Sequence, residues 1–182
     1  NRGMQKNNVI SIKIAGPAGL GIKSVGQLLS KSLIKSGFFI HDYSEYPSLV
    51  RGGHNTYQVS FSDTKIFAPH YNIDLFFAIA PNHWSTHQEE FTKDSLIFSD
   101  EEKVKIKNGK FLNLPLKKLS EEIGSPMSTN IICLGVASFI LNLDQKIVKE
   151  TLKIDFGKNL DINLKAFDLG YKFAKENSAP KC

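Results

Sequence analysis

The chain opens on an alternation. In "NVISIKIAG", from Asn8 to Gly16, apolar and polar residues take turns and the run stops at glycine, which predicts a first strand. "PAGLG" follows as a tight turn. The pattern then changes period: Ile22, Val25, Leu29 and Leu33 fall on one helical face with Leu28 beside them. Gly26 and Ser30 are small, so this helix can approach a sheet closely, and Gly37 marks its end. "FFIHDY" reads as the next strand. A strand, glycine turn, helix and strand of this length predict a crossover in a parallel sheet.

Further along, "NTYQVSFSD" reads as a strand and "TKIFAP" as its hairpin mate. "NIDLFFAIA" (Asn72–Ala80) is the most apolar strand and is expected at the centre. "PNHWSTHQEEF" is expected to start a helix at Pro81, "SLIFSD" to form a short strand, and "GKFLNLP" an edge strand. "PLKKLSEEIG" is an amphipathic helix ending at Gly124. "MSTNIICLGVASFILNL" is a helix apolar enough to be buried on most sides. "DQKIVKETLKID" and "NLDINLKAFDLGYKFAKE" close the chain as amphipathic helices. The expected fold is α/β: a Rossmann-like open, mostly parallel sheet with helices on both faces and extra C-terminal helices.

Length and charge narrow the picture. The 182 residues suit one domain, 1–182, in which 1–3 precede the first methionine and read as a cloning remnant and 176–182 read as a linker-like tail. The net charge of +5 invites a nucleic-acid partner. However, the 23 basic residues include only two arginines, Arg2 and Arg51, and the lysines are dispersed. A solvated surface or an acidic protein partner fits better. Two cysteines give neither a disulfide framework nor a cluster-binding spacing. With no apolar run of membrane length, a cytoplasmic location without membrane contact is expected.

Candidate chemistry gathers in two stretches. The turn "GPAGLG" places Gly16, Gly19 and Gly21 before a helix, where backbone N–H groups can meet a phosphate, although the order differs from G-x-G-x-x-G. Asp42, about 20 residues on, takes the position of an acid that binds a ribose hydroxyl. The second stretch is the long loop after strand two, carrying Glu45, Tyr46, Pro47, Arg51, Gly52, Gly53, His54 and Asn55. Arg51 offers a planar bidentate donor to a carboxylate, a phosphate or another subunit. His54 is a candidate acid–base group, whereas His41 is expected to be structural and His70, His83 and His87 to lie apart from His54. His83 and His87, four residues apart, could share a metal, but the Glu of H-E-x-x-H is missing and no metal site is read. No nucleophilic triad is legible. The residues describe a binding or assembly domain rather than a self-contained catalyst.

The run "GPAGLGIKSVGQLLSKSLIKSGFFIHDYSEYPSLVRGGHNTYQVSFSD", with "NIDLFFAIA" and "LKAFDLGYKFA", resembles the γ subunit or γ domain of 2-oxoacid:ferredoxin oxidoreductases. "EYPSLVRGGHNTYQV" is similar in particular to the γ-type domain at the front of the α subunit in 2-oxoglutarate enzymes. The resemblance implies a holoenzyme that converts a 2-oxoacid and coenzyme A (CoA) to acyl-CoA and CO2 and passes electrons to ferredoxin. It implies thiamine diphosphate, Mg2+ and iron–sulfur clusters on other subunits, and α, β and δ or ferredoxin-like partners. The loop from Glu45 to Asn55 would face the catalytic core or CoA, and the isolated chain would be inactive. Two alternatives stay open: a free-standing NAD-binding Rossmann oxidoreductase and a ligand-free assembly module.

Overall fold

The computed structural model describes residues 9–45, 53–102, 104–177 and 179. Six strands form one sheet: β1 (Ile10–Pro17), β2 (Phe39–Glu45), β3 (His54–Ser62), β4 (Ile73–Ala78), β5 (Phe91–Ser99) and β6 (Lys110–Asn113), in the order β2-β3-β1-β4-β5-β6. The apolar β4 takes a central place, as its pattern predicts, with β1 beside it. β4, β5 and β6 run parallel to β1, while β3 is antiparallel to both β1 and β2. The sheet is therefore mixed, with β3 as the one reversed strand among those described. The first crossover does return parallel to β1, but β3 occupies the place between them. That insertion also explains why 64–69 forms no strand: β3 already has a neighbour on each edge.

Helices α1 (Ile22–Lys35), α2 (Leu116–Ile123), α3 (Thr129–Ile140), α4 (Gln145–Phe156) and α5 (Leu160–Glu176) share one core with the sheet residues Ile12, Ile14, Tyr57, Val59, Leu75 and Phe77. The opposite face carries a smaller apolar cluster around Phe76, Trp84, Phe91 and Ile97. It is covered by a 3-10 helix, Ser85–Glu90. The α-helix expected from Pro81 is thus a turn followed by this short helix. Asn82 has a left-handed φ of 65°, and the Trp84 indole N–H donates to Glu101, which pins the segment before β5 begins.

Two expected stops hold. Gly37 and Gly124 both take positive φ beyond α1 and α2. The close approach expected at Gly26 is also present: a Cβ there would lie 2.2 Å from the Tyr57 ring. α3 and α5 meet backbone to backbone at Gly135 and Gly170.

Candidate functional site

The carboxyl ends of β1 and β4 mark the point where the chain's connections diverge to opposite halves of the sheet. Open α/β sheets present their ligand crevice at such a point. Here β1 runs into the glycine turn. Gly16 lets the β1 end pass Ile22 and Ile79, whose side-chain carbons would lie 2.9 and 3.2 Å from an added Cβ. Gly19 and Gly21 hold φ of 97° and 70°, a region that disfavours other residues. Gly21 is the N-cap of α1, and a Cβ on it would lie 2.4 Å from Asn130 Nδ2.

Beside this turn lies a cavity of about 440 Å3, lined by Gly19, Gly21, Ser24, Ser128, Asn130 and Asn163 among others. Three helices start on its wall. The N-caps are Gly21 for α1, Ser128 for α3 and Asn159 for α5, and none makes a side-chain capping bond. The first-turn N–H groups of a helix lack intrahelical acceptors and carry partial positive charge. Three such ends around one concavity suit an anion without any lysine in the lining. Ser128, 2% exposed, adds a hydroxyl with no hydrogen-bond partner among the described residues. Asn130 and Asn163 are buried polar residues in otherwise apolar helix faces. Their signal in the sequence is a lone asparagine before "IICLGV", which the apolar-helix reading passed over.

The loop residues behave unequally. Gly53, His54 and Asn55 come to the glycine turn: the Ala18 N–H donates to the Gly53 carbonyl at 2.9 Å, and Pro17 and Gly16 pair with His54 and Asn55. The Asn55 side-chain oxygen there is buried without a partner. Glu45 ends β2 opposite Thr56 and is exposed. Tyr46, Pro47, Arg51 and Gly52 lie outside the described residues.

Asp42 does not join the turn. It sits opposite Val59, which is opposite Ile12, four positions before Gly16 on β1. That offset is about 13 Å along the strand. Its carboxylate instead accepts the Tyr57 hydroxyl at 2.5 Å and the Ser30 hydroxyl at 2.8 Å. It fastens α1 to the sheet, and the ribose-binding arrangement is not formed.

His83 and His87, expected to lie apart from His54, meet it. His54 Nδ1 is 2.8 Å from His83 Nδ1, and His54 Nε2 is 2.7 Å from His87 Nε2. His87 Nδ1 is 2.6 Å from Glu90 Oε1, and Glu90 Oε2 takes a hydrogen bond from Lys13, which is 3% exposed. Burial, then the neighbouring His87, His83 and Lys13, pushes His54 down to about 4. Burial and His87 also lower His83. Burial raises Glu90, but hydrogen bonds from His87 and Lys13 and the Lys13 charge outweigh it and hold the carboxyl low. Both nitrogens of His54 and of His87 face protein atoms, and no group of three among the described residues could hold a metal ion. The Cys133 thiol, buried in α3, is pushed up by its burial.

Comparison with known proteins identifies relatives of the chain and of its fold. The profile of the pyruvate ferredoxin/flavodoxin oxidoreductase family matches residues 11–173. Ketoisovalerate oxidoreductase subunit VorA of Methanothermobacter thermautotrophicus is 24% identical over 176 residues, 92% of this chain and 37% of that protein. The structure of 2-oxoglutarate:ferredoxin oxidoreductase from Magnetococcus marinus, with 2-oxoglutarate, coenzyme A and succinyl-CoA bound, superposes with a TM-score of 0.86 at 26% identity. The match covers 94% of this chain and 32% of that one. The keto/oxoacid ferredoxin oxidoreductase γ subunit from Geobacter sulfurreducens shares the fold at 17% identity and a TM-score of 0.79, over 92% of this chain and 99% of that one. The chain thus spans about a third of the first two proteins and nearly all of the third.

Proposed function

We propose a function from the premise that this chain belongs to the pyruvate ferredoxin/flavodoxin oxidoreductase family. It is the γ component, as one domain over residues 1–182, of a thiamine diphosphate-dependent 2-oxoacid:ferredoxin oxidoreductase. It packs on the catalytic subunits and holds CoA at the glycine-turn cavity. The supporting observation is the convergence on one concavity of three helix N-termini whose N-cap side chains make no capping bond, together with the unpartnered Ser128 hydroxyl. A diphosphate is the anion this arrangement suits, and CoA carries one. The Magnetococcus protein, at 26% identity, has CoA bound.

The other cofactors of such an enzyme belong elsewhere. Two cysteines cannot supply the four thiolates of an iron–sulfur cluster, and Cys133 is enclosed in α3. The partners are therefore the α and β subunits, with a ferredoxin-like subunit or ferredoxin receiving the electrons. No helix among the described residues is long and apolar enough to cross a membrane, and a cytoplasmic enzyme accords with that. The dehydrogenase alternative loses its ribose ligand, since Asp42 is committed to Ser30 and Tyr57.

The test is Ser128→Asp in the assembled complex, assayed by dye reduction dependent on 2-oxoacid, CoA and thiamine diphosphate. Co-purification of the α and β subunits with the variant checks that the fold and the assembly are retained. The aspartate charge opposes the diphosphate and raises the KM for CoA by roughly tenfold or more, with the KM for the 2-oxoacid unchanged. An unchanged KM for CoA in an intact complex would refute CoA binding here and leave an assembly role.

A further inference from the structure

We infer that His83, His54, His87 and Glu90 form a one-proton relay running from the protein surface to the buried Lys13–Glu90 pair. The hydrogen-bond pattern determines the direction of every link. Glu90, ionised beside Lys13, can only accept, so His87 donates from Nδ1. Neutral His87 then has an acceptor at Nε2, which obliges His54 to donate from its own Nε2. His54 is left with an acceptor at Nδ1, so His83 donates from Nδ1. One set of tautomers satisfies the whole line, and the free nitrogen of the last ring is His83 Nε2.

A second set also satisfies it. When a proton binds His83 Nε2, the His83 Nδ1 proton passes to His54 Nδ1. The His54 Nε2 proton passes to His87 Nε2. His87 then carries protons on both nitrogens, beside the Glu90 carboxylate. Each imidazole has gained one proton and lost one except His87, which keeps the net charge. No ring needs to turn. A second added proton would leave two N–H groups facing each other across a 2.7 or 2.8 Å gap, so the line takes one proton and no more.

The surroundings favour this capacity. His87 is 7% exposed and its ring lies against Phe76, with 5.2 Å between centroids. The charged groups that face the line are Lys13 on β1 and Glu90 on the 3-10 helix. Tyr43 on β2 also senses it: burial and the Glu45 and Glu90 carboxylates push its phenol up. His83 and His87 stand on one segment and His54 on β3, so the line also clamps the 3-10 helix to the sheet end that carries Gly53. The relay is independent of CoA binding.

The experiment is two-bond 1H–15N correlation spectroscopy on the full chain labelled with 15N-histidine. At neutral pH the expected pattern is Nδ1–H for His83 and His87 and Nε2–H for His54. On acidification, His83 and His54 exchange tautomers at one shared midpoint, at which His87 becomes doubly protonated, and a potentiometric titration counts one proton. His87→Gln is expected to abolish the His54 tautomer exchange. Three separate midpoints in the unaltered protein, or Nδ1–H on His54 at neutral pH, would overturn the relay whether or not the variant folds.

Discussion

Replacing Gly135 with alanine probes the contact on which the candidate cavity depends. An added Cβ would lie 2.2 Å from the Phe167 carbonyl oxygen, 2.8 Å from Tyr171 N and 3.1 Å from Gly170 Cα. All are backbone atoms of α5, so no rotamer change relieves them. A carbon–oxygen contact settles near 3.3 Å, so α3 and α5 must part by about 1 Å at the crossing. A gap of that size forfeits a quarter to a half of each dispersion contact. The contacts at stake include the Phe139–Tyr171 ring pair, with centroids 5.4 Å apart, in a core where Ile132, Val136, Ala166 and Phe167 are fully buried. Overpacking of this kind costs about 3 kcal/mol, and the higher helix propensity of alanine returns about 1 kcal/mol. The expected net loss is ~2 kcal/mol, read as a lower urea midpoint at constant slope in circular dichroism. Gly170→Ala meets the Ile132 carbonyl at 2.1 Å and should behave alike. The double variant should lose less than the sum, because the helices have already separated. Ser128 caps α3, Asn130 lies on α3 and Asn163 on α5, so the same separation widens the cavity, and under the proposed function it should raise the KM for CoA. A Gly135→Ala midpoint equal to that of the unaltered protein would refute the backbone contact and the cavity geometry built on it.

Other outcomes follow from the buried polar groups. His54 falls from 6.5 to about 4 in the fold, so the unfolded chain binds a proton more readily in that window. Stability is therefore present above about pH 6.5 and falls as the pH drops toward 4; the full shift is worth ~3 kcal/mol, reduced by solvent screening to ~1–2 kcal/mol. Thermal unfolding at several pH values checks the sign, and a stability that rises on acidification between pH 6.5 and 4 would contradict it. Lys13→Met leaves the Glu90 carboxylate buried without its cation and should destabilise by ~3 kcal/mol at neutral pH, with part of the loss recovered in Lys13→Met/Glu90→Gln. Asp42→Ala should cost ~1 kcal/mol in denaturant titration by removing the carboxylate that accepts the Ser30 and Tyr57 hydroxyls, and NAD binding by the purified chain should be absent with or without it.

Much of the fold was legible because it rests on local rules. Period-two and helical patterns found β1, α1, β4 and the C-terminal helices, and Gly37 and Gly124 stopped helices for the conformational reason expected of them. The small Gly26 announced a close approach, though not that Tyr57 would fill it. The failures concern pairing at long range. Nothing local says that β3 inserts between β1 and β2, and that one choice removes the hairpin after β3. The histidine line has the same origin. His54 meets partners 29 and 33 residues away because β3 ends beside β1 and the segment after β4 folds back over it. Asn130 and Asn163 become wall residues only when two helix starts meet the glycine turn.

The polar positions of the alternating strands carry the remaining lesson. In β1 the odd residues Ser11 and Lys13, and in β3 the even residues Thr56, Gln58 and Ser60, would ordinarily face solvent. Here none exceeds 3% exposure. The face they share is closed over: the Gln58 amide donates to the His70 carbonyl, Ser11 and Ser60 bond to each other, and Lys13 reaches Glu90. Burying a lysine costs more than leaving it in water unless a charge compensates it, so the Lys13–Glu90 pair makes the covered polar face tenable. The pair in turn keeps Glu90 ionised, and an ionised Glu90 sets the tautomer of His87 and, through it, of His54 and His83. A strand pattern that suggests an exposed sheet thus supplies the buried charge that orders the histidines, on the face opposite the helices that enclose the glycine-turn cavity.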